Sequence, residues 1–216
     1  YPAHQITAEG TGGMIVTSDE KLARRCRSLR DWGKVWDWDI RLGDTKTSYQ
    51  SHVLGFPYYK HYTYQTLGYN MKLSETAAAF GRVQLKKLDQ IRETRIKNYN
   101  YLYDVLSPNH QFILSAATPN SSPSWFGFPM TRQGKPGFGR NEFGDYLESK
   151  GIRTRPFFAG NITEHKPFRD AAEGRYPVAD QLMRDTLFVG IGPWLGQKEL
   201  DYMAETILSW EGIDWS

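Results

Sequence analysis

The sequence predicts an α/β chain in two parts, and three observations carry this. Short β-type apolar runs (Met14-Ile15-Val16, Phe112-Ile113-Leu114, Trp125 to Met130, Ile152 to Phe158 and Leu187 to Ile191) alternate with stretches of helical spacing. The longest of those stretches, Ser74 to Leu106, stands near the middle. After Pro108 the alternation becomes regular, which reads as a mixed α+β layer packed around one sheet. The expected domains are residues 1–106, which include the long helix, and residues 107–216.

In order, the chain opens on a polar loop, Tyr1-Pro2-Ala3-His4-Gln5-Ile6-Thr7, that runs into Gly10-Thr11-Gly12-Gly13. Met14 to Thr17 reads as a buried strand. Ser18 or Asp19 caps the next helix, in which Leu22, Ala23, Cys26 and Leu29 share a face. Cys26 thus reads as a small core residue rather than a nucleophile. Trp32 to Leu67 keeps no period and is longer than an ordinary connection, yet Tyr58, Tyr59, Tyr62 and Tyr64 argue for an ordered loop. Ser74 is the N-cap of one long helix, with a wide apolar face early and a narrower one later, stopped at Pro108. Beyond it come strands at Phe112–Leu114 and Trp125–Met130, and a Gly/Pro loop from Gly134 to Gly139. A helix follows, capped by Asn141 and closed by Gly151. Then come a strand at 152–158, a helix at 177–185, a strand at 187–191 and a last helix at 197–210, with Leu200, Met203, Ala204, Ile207 and Leu208 on one face.

Composition narrows the functional classes. A formal charge of +3 gives no bulk attraction to nucleic acid. No apolar run approaches the ~20 residues of a spanning helix, so no membrane partner is expected. With one cysteine, neither a disulfide framework nor a Cys-rich metal site can form, and a reducing cytoplasm is the default compartment. The aromatic content of 14% suits a sugar-handling cleft or an interface, and equally a plain core.

Read alone, His4 in a Gly-rich loop is a surface or hydrogen-bonded histidine. Its surroundings change that. Pro2-Ala3-His4-Gln5-Ile6-Thr7 before a Gly-Gly turn resembles the cofactor loop of the DegT/DnrJ/EryC1/StrS sugar aminotransferase family, which binds pyridoxal 5'-phosphate (PLP). More narrowly, it resembles the branch in which histidine replaces the cofactor-binding lysine, the 3-dehydratases of deoxysugar biosynthesis, including lipopolysaccharide O-antigen sugars. Other segments are similar to that branch: Arg30-Asp31-Trp32-Gly33, Tyr62-Thr63-Tyr64, Gly68 to Glu75 with Ala78-Ala79-Phe80-Gly81, Pro123 to Pro129, and Thr154 to Asn161. The resemblance implies the PLP-dependent transferase type I (aspartate aminotransferase-like) fold. It also implies that this chain is the C-terminal half of a longer protein: the end of a doubly wound cofactor domain, then a small α+β domain. The N-terminal half would supply the cofactor's stacking aromatic, the Asp on the pyridine nitrogen and a serine at the phosphate.

The implied chemistry follows from His4. A lysine there would join the cofactor covalently; histidine cannot, but it can act as a base with an ordinary pKa near ~6.5. The cofactor would then be used as pyridoxamine 5'-phosphate (PMP), held non-covalently, to remove the C3 hydroxyl of a nucleotide-linked 4-keto-6-deoxysugar. Asn70 matches the residue that reaches the cofactor phosphate of the neighbouring subunit, implying a homodimer with shared active sites; read alone it is a turn or helix-start Asn. Arg155 is a candidate for an anionic group of substrate or of L-glutamate. His61 and Tyr62, with Tyr64, line the sugar cleft or merely pack the long loop. His165 borders the site at most.

Some dehydratases of this branch carry an iron–sulfur cluster after the Arg-Asp-Trp-Gly motif. Here Trp36, Trp38 and Lys46 stand where sulfur ligands belong, and a cluster needs thiolates. No cluster is therefore expected, and regeneration of PMP from L-glutamate is the preferred route. Two departures from the family are Ala77, where a glutamine is usual, and an extra residue around Thr11. The competing expectations are an ordinary PLP-dependent nucleotide-sugar aminotransferase, against which His4 argues, and a non-catalytic dimerisation module of the same fold.

Overall fold

The computed structural model describes residues 7–10, 12–35, 54–59, 62–133, 139–171 and 173–210. The chain divides into two compact units, Tyr1–Lys86 and Lys87–Ser216.

In the first unit, α1 (Glu20–Arg30) starts where Asp19 accepts hydrogen bonds from the Lys21 and Leu22 backbone N–H groups, at 2.9 and 3.2 Å. Cys26 on it is half-buried. The expected strand at Met14–Thr17 is not formed: Met14, Ile15 and Val16 are 87%, 71% and 85% exposed. A strand is stabilised by the ladder it joins, and among the described residues none pairs with this run.

After α1 the chain turns through Asp31–Lys34 and is met by residues 63–71 running the opposite way, with bridges Asp31↔Asn70 and Lys34↔Tyr64. The carbonyls at the end of α1 have no helical partner. Gly33 N–H donates to Ser28 O at 2.8 Å, Tyr69 N–H to Leu29 O at 2.7 Å and Met71 N–H to Arg30 O at 2.9 Å. The crossing is so close that a Cβ on Gly33 would lie 1.8 Å from Thr66 O, and one on Gly68 2.1 Å from Gly33 N. Ser28, buried beneath it, donates to Lys34 O at 2.7 Å.

The expected single helix from Ser74 is two: α2 (Glu75–Leu85), capped by Ser74 Oγ accepting from Ala77 N at 3.2 Å, and α3 (Leu88–Leu106). No Pro or Gly stands at Lys86-Lys87. The break follows burial: α3 packs on the sheet and last helix of the second unit, while α2 belongs to the first. The boundary between the two compact units falls at Lys86/Lys87.

The second unit holds β1 (Phe112–Leu114), β2 (Gly127–Arg132), α4 (Arg140–Ser149), β3 (Thr154–Pro156), α5 (Pro177–Asp185), β4 (Thr186–Gly190) and α6 (Gln197–Leu208). The strands form one antiparallel sheet in the order β1-β2-β4-β3. Register places Phe128 opposite Val189 and Met130 opposite Leu187, all four buried on one face. Against them lie Tyr99, Leu102 and Leu106 of α3, Phe143 and Leu147 of α4, and Leu200, Met203, Ala204 and Ile207 of α6. Thr131 and Thr186 fall on the other face by alternation and pair through their hydroxyls at 2.8 Å. The N-cap of α4 is Gly139; Asn141, expected there, sits inside the helix and accepts from the Arg140 guanidinium. Gly151, with φ +78°, ends the helix as expected: its N–H donates to Glu148 O at 3.0 Å, and Ile152 N–H donates to Leu147 O at 2.9 Å. No described helix is long and apolar enough to cross a membrane.

Three polar groups of α3 tie down irregular chain. Arg95 Nη1 donates to the Trp125 and Phe126 carbonyls at 3.0 and 2.8 Å, and burial lowers its pKa. Asn98 Nδ2 donates to Gly192 O at 3.1 Å. Tyr99 stacks on Trp125 with ring centroids 3.8 Å apart, and its hydroxyl donates to Ser115 O at 2.5 Å.

Two predictions follow from this packing. Gly68→Ala is expected to cost about 3 kcal/mol in a denaturant titration of the full-length protein, whereas Gly174→Ala, where an added Cβ meets nothing within 4 Å, stays within about 0.5 kcal/mol. Burial, with the Tyr103 charge adding to it, pushes the Tyr99 phenol up to about 12, above the usual phenol range. The folded state thus holds this proton more tightly than the unfolded state. The stabilisation is complete below pH 10 and is lost as pH rises towards 12. Thermal melts across that window should show an alkaline loss that Tyr99→Phe reduces.

Candidate functional site

Asn70 lies on the segment that caps α1, and its side chain is exposed. In an antiparallel bridge, directly opposite residues carry their side chains on the same side, and residues two apart in an extended segment share a face. Asp31, Asn70 and Lys72 therefore stand together. Lys72 Nζ is 3.1 Å and Lys34 Nζ 3.7 Å from Asp31 Oδ1. The same two ammoniums lie over the Trp32 ring, 4.2 Å (Lys72) and 4.8 Å (Lys34) from its centroid. Among the described residues the Asn70 amide has no hydrogen-bond partner. This face offers an amide donor beside two lysines that share one carboxylate, a donor set that fits an anionic group such as phosphate.

Tyr62 sits on the same returning segment, 68% exposed, its ring 5.3 Å from that of Tyr59. Next to it, buried Thr63 donates its hydroxyl to Tyr59 O at 3.1 Å and accepts from Val35 N–H at 3.0 Å, so the expected order of this part of the loop is present.

In the second unit, Arg155 is exposed on the edge strand β3, and its Nη1 donates to Thr154 O at 2.8 Å. Thr154 anchors that strand. Its N–H and hydroxyl both donate to Glu148, at 2.9 and 3.1 Å, and hold that carboxyl below its usual range. The chain that follows β3 lines a cleft of about 520 Å³ with Phe157, Phe158, His165, Arg140 and Arg184. His165 Nε2 donates to Ala159 O at 2.9 Å across the loop. Arg155 is not among the side chains lining this cleft.

His4 and His61 lie outside the described residues, as do the insertion at Thr11, positions Trp36, Trp38 and Lys46, and residues 134–138 of the Gly/Pro loop. Of the candidates, the structure thus places Asn70 and Tyr62 on one segment of the first unit and Arg155 in the second. The cluster of Asp31, Trp32, Lys34 and Lys72 around Asn70 was not assigned from sequence. Its one legible signal is the i, i+2 spacing of Asn70 and Lys72; the pairing with Asp31 crosses a long loop. Arg140 and Arg184 were likewise missed, because they meet at the cleft only through tertiary packing.

A family model described as the DegT/DnrJ/EryC1/StrS aminotransferase family matches residues 1–208. The chain is 38% identical over 216 residues to a dTDP-4-dehydro-2,6-dideoxy-D-glucose 3-dehydratase of Saccharopolyspora spinosa, covering 96% of this chain and 46% of that protein. It is 35% identical over 224 residues to the lipopolysaccharide biosynthesis protein RfbH of Salmonella typhimurium, covering 100% and 51%. Among solved structures it resembles an E. coli GDP-4-keto-6-deoxy-D-mannose-3-dehydratase with bound hydrated PLP, with a TM-score of 0.72 at 24% identity, covering 89% of this chain and 49% of that one. At that identity the likeness shows the fold alone, in agreement with the PLP-dependent transferase type I fold expected from the sequence. The chain spans about half the length of these relatives.

Proposed function

Because the chain belongs to the DegT/DnrJ/EryC1/StrS aminotransferase family, we propose that it supplies the C-terminal half of a PMP/PLP-dependent 3-dehydratase acting on a nucleotide-linked 4-keto-6-deoxyhexose. The observation that carries the reading is the likeness to the Saccharopolyspora spinosa 3-dehydratase, together with His4 where the family's cofactor loop carries lysine. In this reading residues 1–106 complete the cofactor domain and residues 107–216 form the small domain. The enzyme is a cytoplasmic homodimer that makes deoxysugars, lipopolysaccharide sugars among them, and L-glutamate restores the amine form of the cofactor.

When bound, PMP supplies an electron sink. His4 has no primary amine and so makes no covalent link to the cofactor. Its imidazole would serve as the base that accepts a proton during the elimination, the C3 hydroxyl leaving with a proton as water. Asn70 would hold the cofactor phosphate of the neighbouring subunit through its amide, and the two lysines beside Asp31 favour an anion there. Arg155 and Tyr62, with His61, are proposed to meet substrate or glutamate.

Titration of the full-length protein with PMP, followed by absorbance, tests this. Borohydride should leave no cofactor attached to protein; covalent attachment would favour the aminotransferase reading, and failure to bind either cofactor form the non-catalytic one. His4→Phe is expected to slow turnover about 10²–10⁴-fold while PMP still binds. Asn70→Ala is expected to weaken PMP binding by about 1.5–3 kcal/mol and leave pyridoxamine, which lacks the phosphate, unaffected.

A further inference from the structure

Asp31 puts a carboxylate directly opposite Asn70 in the bridge. Neighbours in such a pair have Cβ atoms about 5 Å apart. A bare carboxylate at that distance would repel an anion at Asn70 and compete for its amide N–H groups. Two lysines prevent this, at 3.1 and 3.7 Å from the same oxygen. They leave the face with one net positive charge: two ammoniums against one carboxylate.

The lysines are themselves held by Trp32. Its backbone is in the left-handed region, φ +55°, an uncommon conformation for a bulky residue. The conformation is retained because Trp32 N–H donates to Tyr69 O at 2.9 Å while Gly33 N–H caps Ser28. Its effect is to bring the indole against Lys34 and Lys72, 4.8 and 4.2 Å from their ammoniums. Strain retained at one turn, and used to gather charges around an exposed amide, points to a function for the cluster.

We propose that Asp31, with Lys34 and Lys72 gathered over Trp32, is a positioning residue that sets the charge of the Asn70 face and thereby limits how tightly that face holds a phosphate group. The proposal rests on the reading of Asn70 as a phosphate donor. It carries an opposite-sign consequence. Removing the Asp31 charge frees both lysines and tightens anion binding. Removing either lysine exposes Asp31 and loosens it. A scaffold role would make every such change loosen binding.

The test measures the dissociation constants of PMP and of pyridoxamine on the full-length protein, at low and high salt. One unit charge a few ångströms away in a partly wet site predicts that Asp31→Asn binds PMP about threefold to tenfold more tightly and that Lys72→Met binds it more weakly by a similar factor. Lys34→Met should follow Lys72→Met. Asp31→Asn combined with Lys72→Met should return towards wild type. The differences should shrink at high salt, and pyridoxamine should be indifferent throughout. If Asp31→Asn weakens PMP and pyridoxamine alike, the cluster is scaffold and the proposal is overturned. If wild type does not prefer PMP to pyridoxamine, the reading of Asn70 fails and takes this proposal with it. If Asn70→Ala abolishes the preference but Asp31→Asn does not tighten binding, only the proposal fails.

Discussion

The end of α1 cannot satisfy its own carbonyl groups, and the organisation of the first unit follows from how the chain meets that need. Residues 69–71 bring the N–H groups of Tyr69 and Met71 to Leu29 and Arg30, so a segment distant in sequence becomes the cap of a helix. That contact fixes the crossing at which Gly33 and Gly68 have no room for a side chain. It sets Asn70 opposite Asp31 and brings Lys72 within reach of the same carboxylate. The candidate site is thus built on backbone bonds first and side chains second, which holds an exposed amide in place without burying it.

The second unit is stabilised differently. Its sheet is short-stranded and antiparallel, with one face filled by α3, α4 and α6. The fully buried side chains include Leu102, Phe128, Leu147 and Val189, each drawn from a different element. The buried polar groups are matched: Arg95 and Asn98 donate to carbonyls of irregular chain, and Thr131 pairs with Thr186. Such groups cost stability when left without partners. Here they fix the connections between strands, and the arrangement leaves Phe157, Phe158 and His165 lining an open cleft.

Several features were legible in the sequence because they depend on local chemistry. Asp19 and Ser74 cap helices because a short side-chain oxygen can reach the free N–H groups of the first turn. Gly151 ends α4 because the closing turn requires a positive φ. The apolar spacing of α6 matches its buried face at Leu200, Met203, Ala204 and Ile207, while Leu208, expected on that face, is exposed at the end of the helix. The errors share one physical cause. Met14–Val16 has the composition of a strand, but a strand needs a neighbour. Ser74 to Leu106 keeps helical spacing throughout, but its two parts belong to different compact units, and α3 packs on β2 and α6. Asn141 has the chemistry of a cap, but Gly139 begins the helix.

The sequence by itself determined the family, the order of helices and strands in the second half, and the choice of Asn70 and His4 as candidates. The order of elements is written in short-range spacing; the two candidates come from the resemblance of their flanking segments to the family. Only the tertiary structure decided where the long helix breaks, that Asn70 shares a face with Asp31, and that two lysines and a tryptophan surround that pair. The reason is that these contacts join residues separated by long, aperiodic chain. Local propensity carries no information about them, and they are settled by which backbone groups still need partners once the helices have formed.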